Sequence, residues 1–219
     1  MKNIIRSLIY PGLDLHTRNR KQLCRFWQTG SRDVLDAGSG NGYFSWLAYK
    51  SGARVVGLSF EKEQVDKARD FLIGHRRADP LRLRFEHRNL YDLDEENRTF
   101  DEIICFEVLE HLGNDEQIVK QFFRILKPGG FLHLCTPNRL HPRNQAEILD
   151  SNEKGGHIRA GYTEEDYRRL LEPVGFQVEK VVGIGPHSLY VADTILRVLR
   201  NKLGDVAALP FLPLALPFV

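Results

Sequence analysis

VLDAGSGNGYFS, residues 34–45, places three glycines at alternate positions directly after an apolar run. Glycine costs about 0.5–1 kcal/mol relative to alanine inside regular structure, so this composition lowers stability where a buried strand ends. Gly38, Gly40 and Gly42 therefore predict a strand-to-helix turn whose backbone another group approaches closely. The simpler alternative is a tight turn that binds nothing.

The bulk composition favours one globular domain. With 219 residues, of which 42% are hydrophobic, the chain can bury one sizeable core. Its net charge of +2 is spread among interspersed acids and bases, so no nucleic-acid partner is expected. Three widely spaced cysteines fit a reducing compartment and give no metal-ligand spacing. The apolar run before Pro11 is too short for a signal peptide, which favours a cytoplasmic protein.

Strand and helix patterns alternate along the chain. Short apolar runs predict strands, and stretches with one apolar face predict helices. The predicted strands lie near residues 33–38, 53–60, 81–87, 100–108, 131–138 and 177–185, and the predicted helices near 44–52, 61–72, 115–126, 163–176 and 191–203. This alternation predicts an α/β fold whose ligand binds beyond the carboxyl ends of the strands, where the glycine stretch lies.

Three segments, in order and at ordinary spacing, carry a resemblance to a known family. They are VLDAGSGNG (34–42), FDEIICFEVLEHL (100–112) and ILKPGGFLHLCTPN (125–138). The chain resembles the class I S-adenosylmethionine-dependent methyltransferases over residues 18–185, with the nearest likeness to ubiquinone-biosynthesis O-methyltransferases. Tyr43 stands where the glycine motif of nicotinamide-dependent oxidoreductases needs its third glycine, which disfavours that class.

The resemblance implies a single-domain Rossmann-like, doubly wound sheet, mostly parallel with one antiparallel strand. It also implies S-adenosylmethionine as cofactor and methyl transfer to a small-molecule or lipid-linked acceptor, with a hydroxyl preferred over other acceptor atoms. The alternative is a non-catalytic member of the same fold that binds the cofactor or a partner.

Four positions match the family's cofactor contacts, namely Arg18, Gly38, Ser59 and Phe106. Ser59 departs from the family pattern, in which a carboxylate at this place accepts two hydrogen bonds from the ribose. Glu61 lies two residues further on and points the same way if the strand stays extended, so it is the candidate to replace that carboxylate. The alternative is that Glu61 only begins the next helix.

Further residues complete the predicted cofactor site. Asp36 orients the glycine turn or the cofactor's amino group, unless it is a buried acid satisfied by backbone amides. Asn89 is placed to hydrogen-bond the adenine edge with Leu90 beside it, and Phe106 to pack on the adenine face unless it is only a core aromatic. Arg18 pairs with the methionine carboxylate or forms a surface ion pair. The remaining predicted contacts are Ser39, Gly40 and Gly42.

Removal of the acceptor proton calls for a base, and two histidines are candidates. His111 ends the sequence EVLEH, and His157 lies in GGHIRAGY within the insert after the fifth predicted main-sheet strand. Each could instead be structural or solvated. In ubiquinone-type relatives the counterparts of Glu107, Glu110 and His111 can hold Mg²⁺, but Mg²⁺ prefers oxygen ligands, so metal use stays open.

The C-terminal residues suggest a second region. Residues 1–190 are predicted to form the methyltransferase domain, and residues 191–219 an amphipathic helix followed by the apolar stretch VAALPFLPLALPFV. The helix pattern places Ala192, Ile195, Leu196, Leu199 and Leu203 on one stripe. Such a region predicts a peripheral contact with the inner membrane face. The alternative is a helix and tail that pack on the sheet or in a dimer.

Overall fold

The computed structural model describes residues 10–11, 14–28, 30–145, 149–150, 153, 155–185 and 187–203. The apolar stretch at 206–219 lies outside these residues. The chain divides into two compact units, one made of Met1–Trp27 and Val182–Val219 and the other of Gln28–Val181. The domain boundary expected at residue 190 stays a prediction.

The unit Gln28–Val181 contains a five-stranded sheet in the order β3-β2-β1-β4-β5. All four strand pairings are parallel. β1 and β4 are buried along almost their whole length, as expected for central strands of a sheet covered on both faces. The strands are β1 (Asp33–Ala37), β2 (Arg54–Ser59), β3 (Leu83–His87), β4 (Phe100–Phe106) and β5 (Leu126–Cys135).

The helices that the structure describes lie before β1, between successive strands, or after β5. They are α1 (Leu15–Arg20), α2 (Tyr43–Lys50), α3 (Lys62–Ala68), α4 (Asp115–Ile125), α5 (Pro142–Gln145), α6 (Glu164–Leu171) and α7 (His187–Leu203). A π-helical turn, Arg69–His75, continues α3, and 3₁₀ turns lie at Lys21–Phe26, Leu90–Glu95, Leu109–His111 and Glu172–Val174. Thr163 and Asp166 form a reciprocal capping box at the start of α6.

Two sequence predictions about the sheet are wrong. Residues 177–185 form no strand, and no antiparallel strand is found among the described residues. Glu179, Lys180 and Val181 are all exposed, so this β-branched stretch has no ladder partner to bury it, and strand propensity depends on such packing. The strand predicted near residues 131–138 begins earlier, because β5 starts at Leu126 and includes the KPGG sequence, with an irregularity in its pairing with β4 between Phe100 and Glu102.

In the unit that contains both termini, α1 and α7 are joined by His16 Nε2 and Asp193 Oδ2, which lie 3.5 Å apart. The prediction that Ala192, Ile195 and Leu196 share one apolar stripe on α7 is wrong. Ala192 and Leu196 are buried, whereas Ile195 is 56% exposed. The side chain of Leu203 lies outside the described part. Among the described residues, no helix has the length and apolarity needed to cross a bilayer.

The strand order fixes where a ligand can bind. The chain moves from β1 outward to β2 and β3, then returns to the other side of β1 with β4 and β5. The winding direction therefore reverses between β1 and β4, and the crevice beyond their carboxyl ends is the usual binding place in such sheets. The glycine stretch follows β1, and the EVLEH sequence follows β4.

Candidate functional site

The glycine turn after β1 depends on backbone conformations that favour glycine. Gly38, Gly40 and Gly42 have φ of +90°, +52° and +78°. A Cβ at Gly38 would overlap Cγ2 of Val108, which belongs to the segment that follows β4. The turn is held on β2, because the amides of Gly38 and Ser39 both donate to the carbonyl of Leu58, at 3.0 and 2.7 Å.

Asp36 lies beneath this turn at the end of β1. Its carboxylate is buried and accepts a hydrogen bond from Ser45 Oγ at 2.6 Å. Burial raises the pKa of Asp36 to about 6, against the lowering effect of its hydrogen bonds with Ser45. Ser45 is itself fully buried on the inward face of α2. Asp36 is thus bonded to α2, the helix that follows the turn, and its role in orienting the turn stays a prediction.

Ser39 supplies the test of whether this turn suits a bound cofactor. Its side chain is buried, and its Oγ finds no hydrogen-bond partner among the described residues. A buried hydroxyl left unpaired is costly, so such groups normally bond to water or to a ligand. With the positive φ angles of the glycines, this hydroxyl fits a turn that receives a polar ligand.

The end of β2 carries the two candidates for the ribose. Ser59 is buried, and its Oγ accepts from the amide of Glu61 at 3.3 Å. Glu61 is the N-cap residue of α3, and its carboxylate accepts from Gln64 Nε2 at 2.7 Å. A Cβ at Gly40 would lie 3.4 Å from Gln64 Oε1, so the Gln64 side chain lies close to the glycine turn. Both assignments stay predictions.

The predicted adenine contacts also serve local structure. Asn89 caps the following 3₁₀ turn, because its Oδ1 accepts from the amide of Tyr91 at 3.1 Å. Leu90 is part of the buried core. Phe106, the last residue of β4, is buried and meets the ring of Phe44 edge to face at 4.9 Å. The contacts of Asn89, Leu90 and Phe106 with adenine stay predictions.

Arg18 lies on α1, in the unit that contains both termini. The glycine turn belongs to the other unit, so the predicted contact between Arg18 and the methionine carboxylate stays a prediction.

The two predicted bases come together with a third residue. The His111 and His157 rings pack edge to face with their centres 4.7 Å apart. Nε2 of each ring lies 3.9 Å from Oε1 of Glu110, whose side chain is completely buried. His111 Nδ1 donates to the carbonyl of Gly156 at 3.0 Å, because a carbonyl can only accept. In the neutral ring this leaves the lone pair on His111 Nε2, the atom on the side of Glu110.

The insert reaches this position through a series of bonds to the segment after β4. The amide of Ile158 donates to the carbonyl of Glu110 at 3.0 Å. Arg159 donates to the carbonyls of Leu112 and Gly113, at 2.8 and 3.1 Å, and pairs with the carboxylate of Asp115. These contacts explain how His157, 46 positions after His111, comes to lie beside it.

The Mg²⁺ ligands implied by the resemblance do not fit this geometry. The potential ligand atoms that lie within 4.8 Å of one another belong to Glu110, His111 and His157, and Glu107 is not in this group. Glu107 has φ of +57°, and its Oε1 is 3.6 Å from Cys135 Sγ. Two imidazoles and one carboxylate are a poor set for Mg²⁺, which prefers oxygen ligands.

Several residues of this site carry no clear signal in the sequence. Val108 contacts the glycine turn, and Ser45 donates a hydrogen bond to Asp36. Arg159 holds the insert against the segment after β4. Ser45 could have been suspected as a polar residue in the first turn of the helix after the glycines. No local pattern indicates the partners of Val108 or Arg159, because they depend on how distant segments meet.

Comparisons with known proteins agree with this geometry. A family model described as a methyltransferase domain matches residues 13–181. The chain is 34% identical over 157 residues to a protein of Mycolicibacterium smegmatis named "Probable S-adenosylmethionine-dependent methyltransferase", covering 70% of this chain and 55% of that protein. It is 30% identical over 162 residues to the mitochondrial ubiquinone biosynthesis O-methyltransferase of Rattus norvegicus, covering 69% of this chain and 46% of that protein. The chain thus spans about half the length of these relatives.

Solved structures support the fold. The mycolic acid cyclopropane synthase CmaA1, solved in complex with SAH and CTAB, superposes with a TM-score of 0.67 at 20% identity, covering 88% of this chain and 72% of the other. A putative S-adenosylmethionine-dependent methyltransferase from Listeria monocytogenes gives a TM-score of 0.62 at 17% identity, covering 78% and 90%. At these identities the likeness concerns the fold alone.

Proposed function

Because this chain belongs to the class I S-adenosylmethionine-dependent methyltransferases, we propose that it transfers a methyl group to a hydroxyl of a small or lipid-linked acceptor. One observation carries the proposal. The glycine turn after β1 contacts Val108, which lies two residues before Glu110 and three before His111. The predicted cofactor turn and the cluster of candidate bases are therefore neighbours at the switch point of the sheet.

The chain's own groups would hold the cofactor at this edge. The turn of Gly38 and Gly40 gives close access to the backbone, and the buried Ser39 hydroxyl offers a hydrogen bond. Glu61 is the candidate for the ribose hydroxyls, since charge-assisted hydrogen bonds are about twice as strong as neutral ones. The bound cofactor supplies an electrophilic methyl group on a sulfonium.

Proton removal is assigned to the histidine pair. The hydrogen bond from His111 Nδ1 to Gly156 presents Nε2 of this ring as the acceptor atom. The buried carboxylate of Glu110 lies on the same side and would stabilise an imidazolium after it takes the acceptor proton. His157 shares this carboxylate, so either ring can serve as the base.

The test separates cofactor binding from catalysis. Titration calorimetry with S-adenosylmethionine measures the first, and transfer of a radiolabelled methyl group to the organic-soluble fraction of a cell extract measures the second. Wild type should bind and transfer. His111→Gln with His157→Gln should keep binding while transfer falls by about 10²–10⁴-fold, the usual contribution of a general base. The exposed His75→Gln should match wild type.

The outcomes distinguish the alternatives. Binding without any transfer by the wild type would favour a non-catalytic member of the family that only binds the cofactor. Absence of binding at millimolar cofactor would refute the proposal as a whole. Label recovered only in water-soluble products would keep methyl transfer but exclude a lipid-linked acceptor.

An apolar acceptor is supported by α7. Val191, Ile195 and Val198 are each about half exposed, and their spacing puts them on one face of this helix. An exposed apolar face of this kind suits the interface of a membrane, and we propose that the chain contacts the inner membrane surface there.

Co-sedimentation with vesicles that contain anionic lipid tests this contact. Ile195→Asn with Val198→Asn should lower the bound fraction severalfold, because each change removes an exposed apolar group from the interface. The matched control is Val181→Asn, which changes an exposed valine of the other unit. Equal binding by the wild type and the α7 variant would refute a membrane contact through this face.

A further inference from the structure

We infer that an acidic segment of a partner protein docks on the surface formed by residues 46–50, at the end of α2, and residues 76–82, before β3. We call this surface the basic surface. It carries one acidic residue, Asp79. Its four cationic residues are Lys50, Arg76, Arg77 and Arg82. Opposite charge across an interface steers association and gives specificity, so a carboxylate-rich partner suits this composition.

Two arginines of the basic surface are held in place by aromatic rings of α2. Trp46 and Tyr49 stack with their ring centres 5.5 Å apart. The Arg76 guanidinium lies over the Trp46 ring at 5.3 Å, and the Arg82 guanidinium lies over the Tyr49 ring at 4.7 Å. Arg82 also donates to the carbonyls of Tyr49 and Ala53, at 3.2 and 3.3 Å. Guanidinium groups fixed in this way lose less side-chain freedom when a carboxylate binds them.

Arg77 has an exposed side chain on a backbone that favours glycine, because its φ is +58°. Among the residues that the structure describes, its guanidinium has no hydrogen-bond or ion-pair partner. A residue with a Cβ is strained in this conformation, so the fold itself is not served by an arginine here. Strain that is kept at an exposed position indicates a function for the side chain, and a charged docking contact is such a function.

Leu81 gives the basic surface an apolar contact, since its side chain is 82% exposed. The turn that carries it is fixed to α2. The amide of Leu81 donates to Asp79 Oδ1 at 2.9 Å, and the amide of Asp79 donates to the Tyr49 hydroxyl at 3.1 Å. An apolar side chain beside arginine and aromatic residues is typical of protein–protein interfaces. The docked segment should therefore carry an apolar residue among its carboxylates.

The basic surface lies away from the candidate functional site. Residues 46–50 lead toward β2 and residues 76–82 lead into β3, so both segments lie at the amino ends of these parallel strands. The crevice lies beyond the carboxyl ends of the strands, where the glycine turn begins α2. A partner docked on the basic surface therefore leaves the crevice open, and the inference does not depend on the cofactor or on the methyl acceptor.

Two features favour a protein over a nucleic acid or a membrane. Base stacking needs open ring faces, whereas Trp46 and Tyr49 pack on each other and each carries a guanidinium. Insertion into a membrane needs several apolar side chains. In residues 46–50 and 76–82, all of which the structure describes, Leu81 is the one large hydrophobic side chain that is exposed.

Titration calorimetry of the full-length chain with two synthetic peptides tests the docking surface. One peptide has glutamates on both sides of a central leucine, and the other has glutamine in place of each glutamate. We expect the acidic peptide to bind at least tenfold more tightly, and high salt to remove this difference. Arg77→Gln with Leu81→Asn should weaken binding of the acidic peptide by about tenfold. The matched control, which should bind as the wild type does, is Arg169→Gln with Leu140→Asn, an exposed arginine and an exposed leucine elsewhere.

A second variant separates docking from folding. Arg77→Gly relieves the positive φ, so it should unfold at the same or a higher urea concentration than the wild type while it binds the acidic peptide more weakly. The chain has two tryptophans, so ¹⁹F NMR of the chain labelled with 5-fluorotryptophan locates the peptide. The Trp46 resonance should shift on addition of the acidic peptide, and the Trp27 resonance should not.

Three results would overturn the inference. The first is binding of the acidic peptide that Arg77→Gln with Leu81→Asn leaves unchanged. The second is equal binding of the acidic and the neutral peptide. The third is a larger effect of this variant on binding of a single-stranded oligonucleotide, or of vesicles that contain anionic lipid, because the surface would then serve that partner instead. Methyl transfer is not measured in any of these experiments, so failure of the proposed function would leave their outcomes unchanged.

Discussion

The contact between Gly38 and Val108 makes a quantitative prediction about the glycine turn. Gly38→Ala places a Cβ where Val108 Cγ2 now lies, at a φ of +90°. Left-handed backbone costs about 1–2 kcal/mol for a residue with a Cβ, and overpacking costs about 1–3 kcal/mol more. The variant should therefore lose about 2–5 kcal/mol of the free energy of unfolding.

Gly40→Ala is the matched control. Gly40 has a φ of +52°, close to the ordinary left-handed minimum, and the nearest atom to a Cβ there is Gln64 Oε1 at 3.4 Å. Only the backbone term applies, so the loss should be about 1–2 kcal/mol.

A double-mutant cycle isolates the steric part. Val108→Ala removes the clashing methyl groups, so it should cost about 1 kcal/mol in the wild type and return about 1–3 kcal/mol in the Gly38→Ala background. Urea unfolding followed by far-ultraviolet circular dichroism measures all four proteins. Two results together would refute the steric argument: equal losses of unfolding free energy in Gly38→Ala and Gly40→Ala, and additive effects of Gly38→Ala and Val108→Ala. They would show that the side chain of Val108 is not the reason why position 38 requires glycine.

Three other predictions concern charged groups. Burial raises the pKa of Asp36 from 3.8 to about 6, so the wild type should lose up to about 3 kcal/mol of stability as the pH rises from 4 to 6. Asp36→Asn should not show this loss, and urea unfolding at pH 4 and 8 measures both proteins. Hydrogen bonds from Arg98 lower the pKa of Glu96 from 4.5 to about 2, so Glu96→Gln should be less stable than wild type at pH 7, and this difference in urea midpoint should vanish as the pH falls from about 4.5 to 2. Arg159→Lys should speed amide hydrogen exchange in residues 155–158 by about tenfold, because one ammonium cannot replace a forked guanidinium. The control is Arg169→Lys, which should leave this exchange unchanged because the exposed Arg169 guanidinium pairs with Glu165. Equal exchange in the two variants would contradict this reasoning.

Much of the sheet could be predicted because its signals are local. An apolar run that ends in Gly38, followed by a helical pattern, identifies β1, the turn and α2 without knowledge of any partner. The same reasoning failed for residues 177–185, where a β-branched sequence found no neighbouring strand. Strand formation depends on pairing with a neighbouring strand, and the sequence of one segment does not show whether such a neighbour is present.

The site could be predicted only as separate residues. The sequence identifies His111 and His157 as separate candidate bases, and the resemblance groups Glu110 with Glu107 and His111 as implied metal ligands. Their convergence depends on the insert, which Arg159 fastens to residues 112–115. Contacts across 46 residues of sequence arise from tertiary packing, so no periodicity or motif could have indicated them.

The backbone of Glu107 has a consequence for anyone who wishes to make this chain more heat-resistant. The residue carries a side chain in a conformation that glycine adopts without penalty, and its amide is held by the carbonyl of Cys135 at 2.7 Å. Glu107→Gly is therefore the replacement that a search for stability would select, with a gain of about 1 kcal/mol. The same replacement would give the backbone more freedom where the chain leaves the sheet toward Val108 and Glu110. The more stable protein would therefore hold its histidine pair in a less defined position.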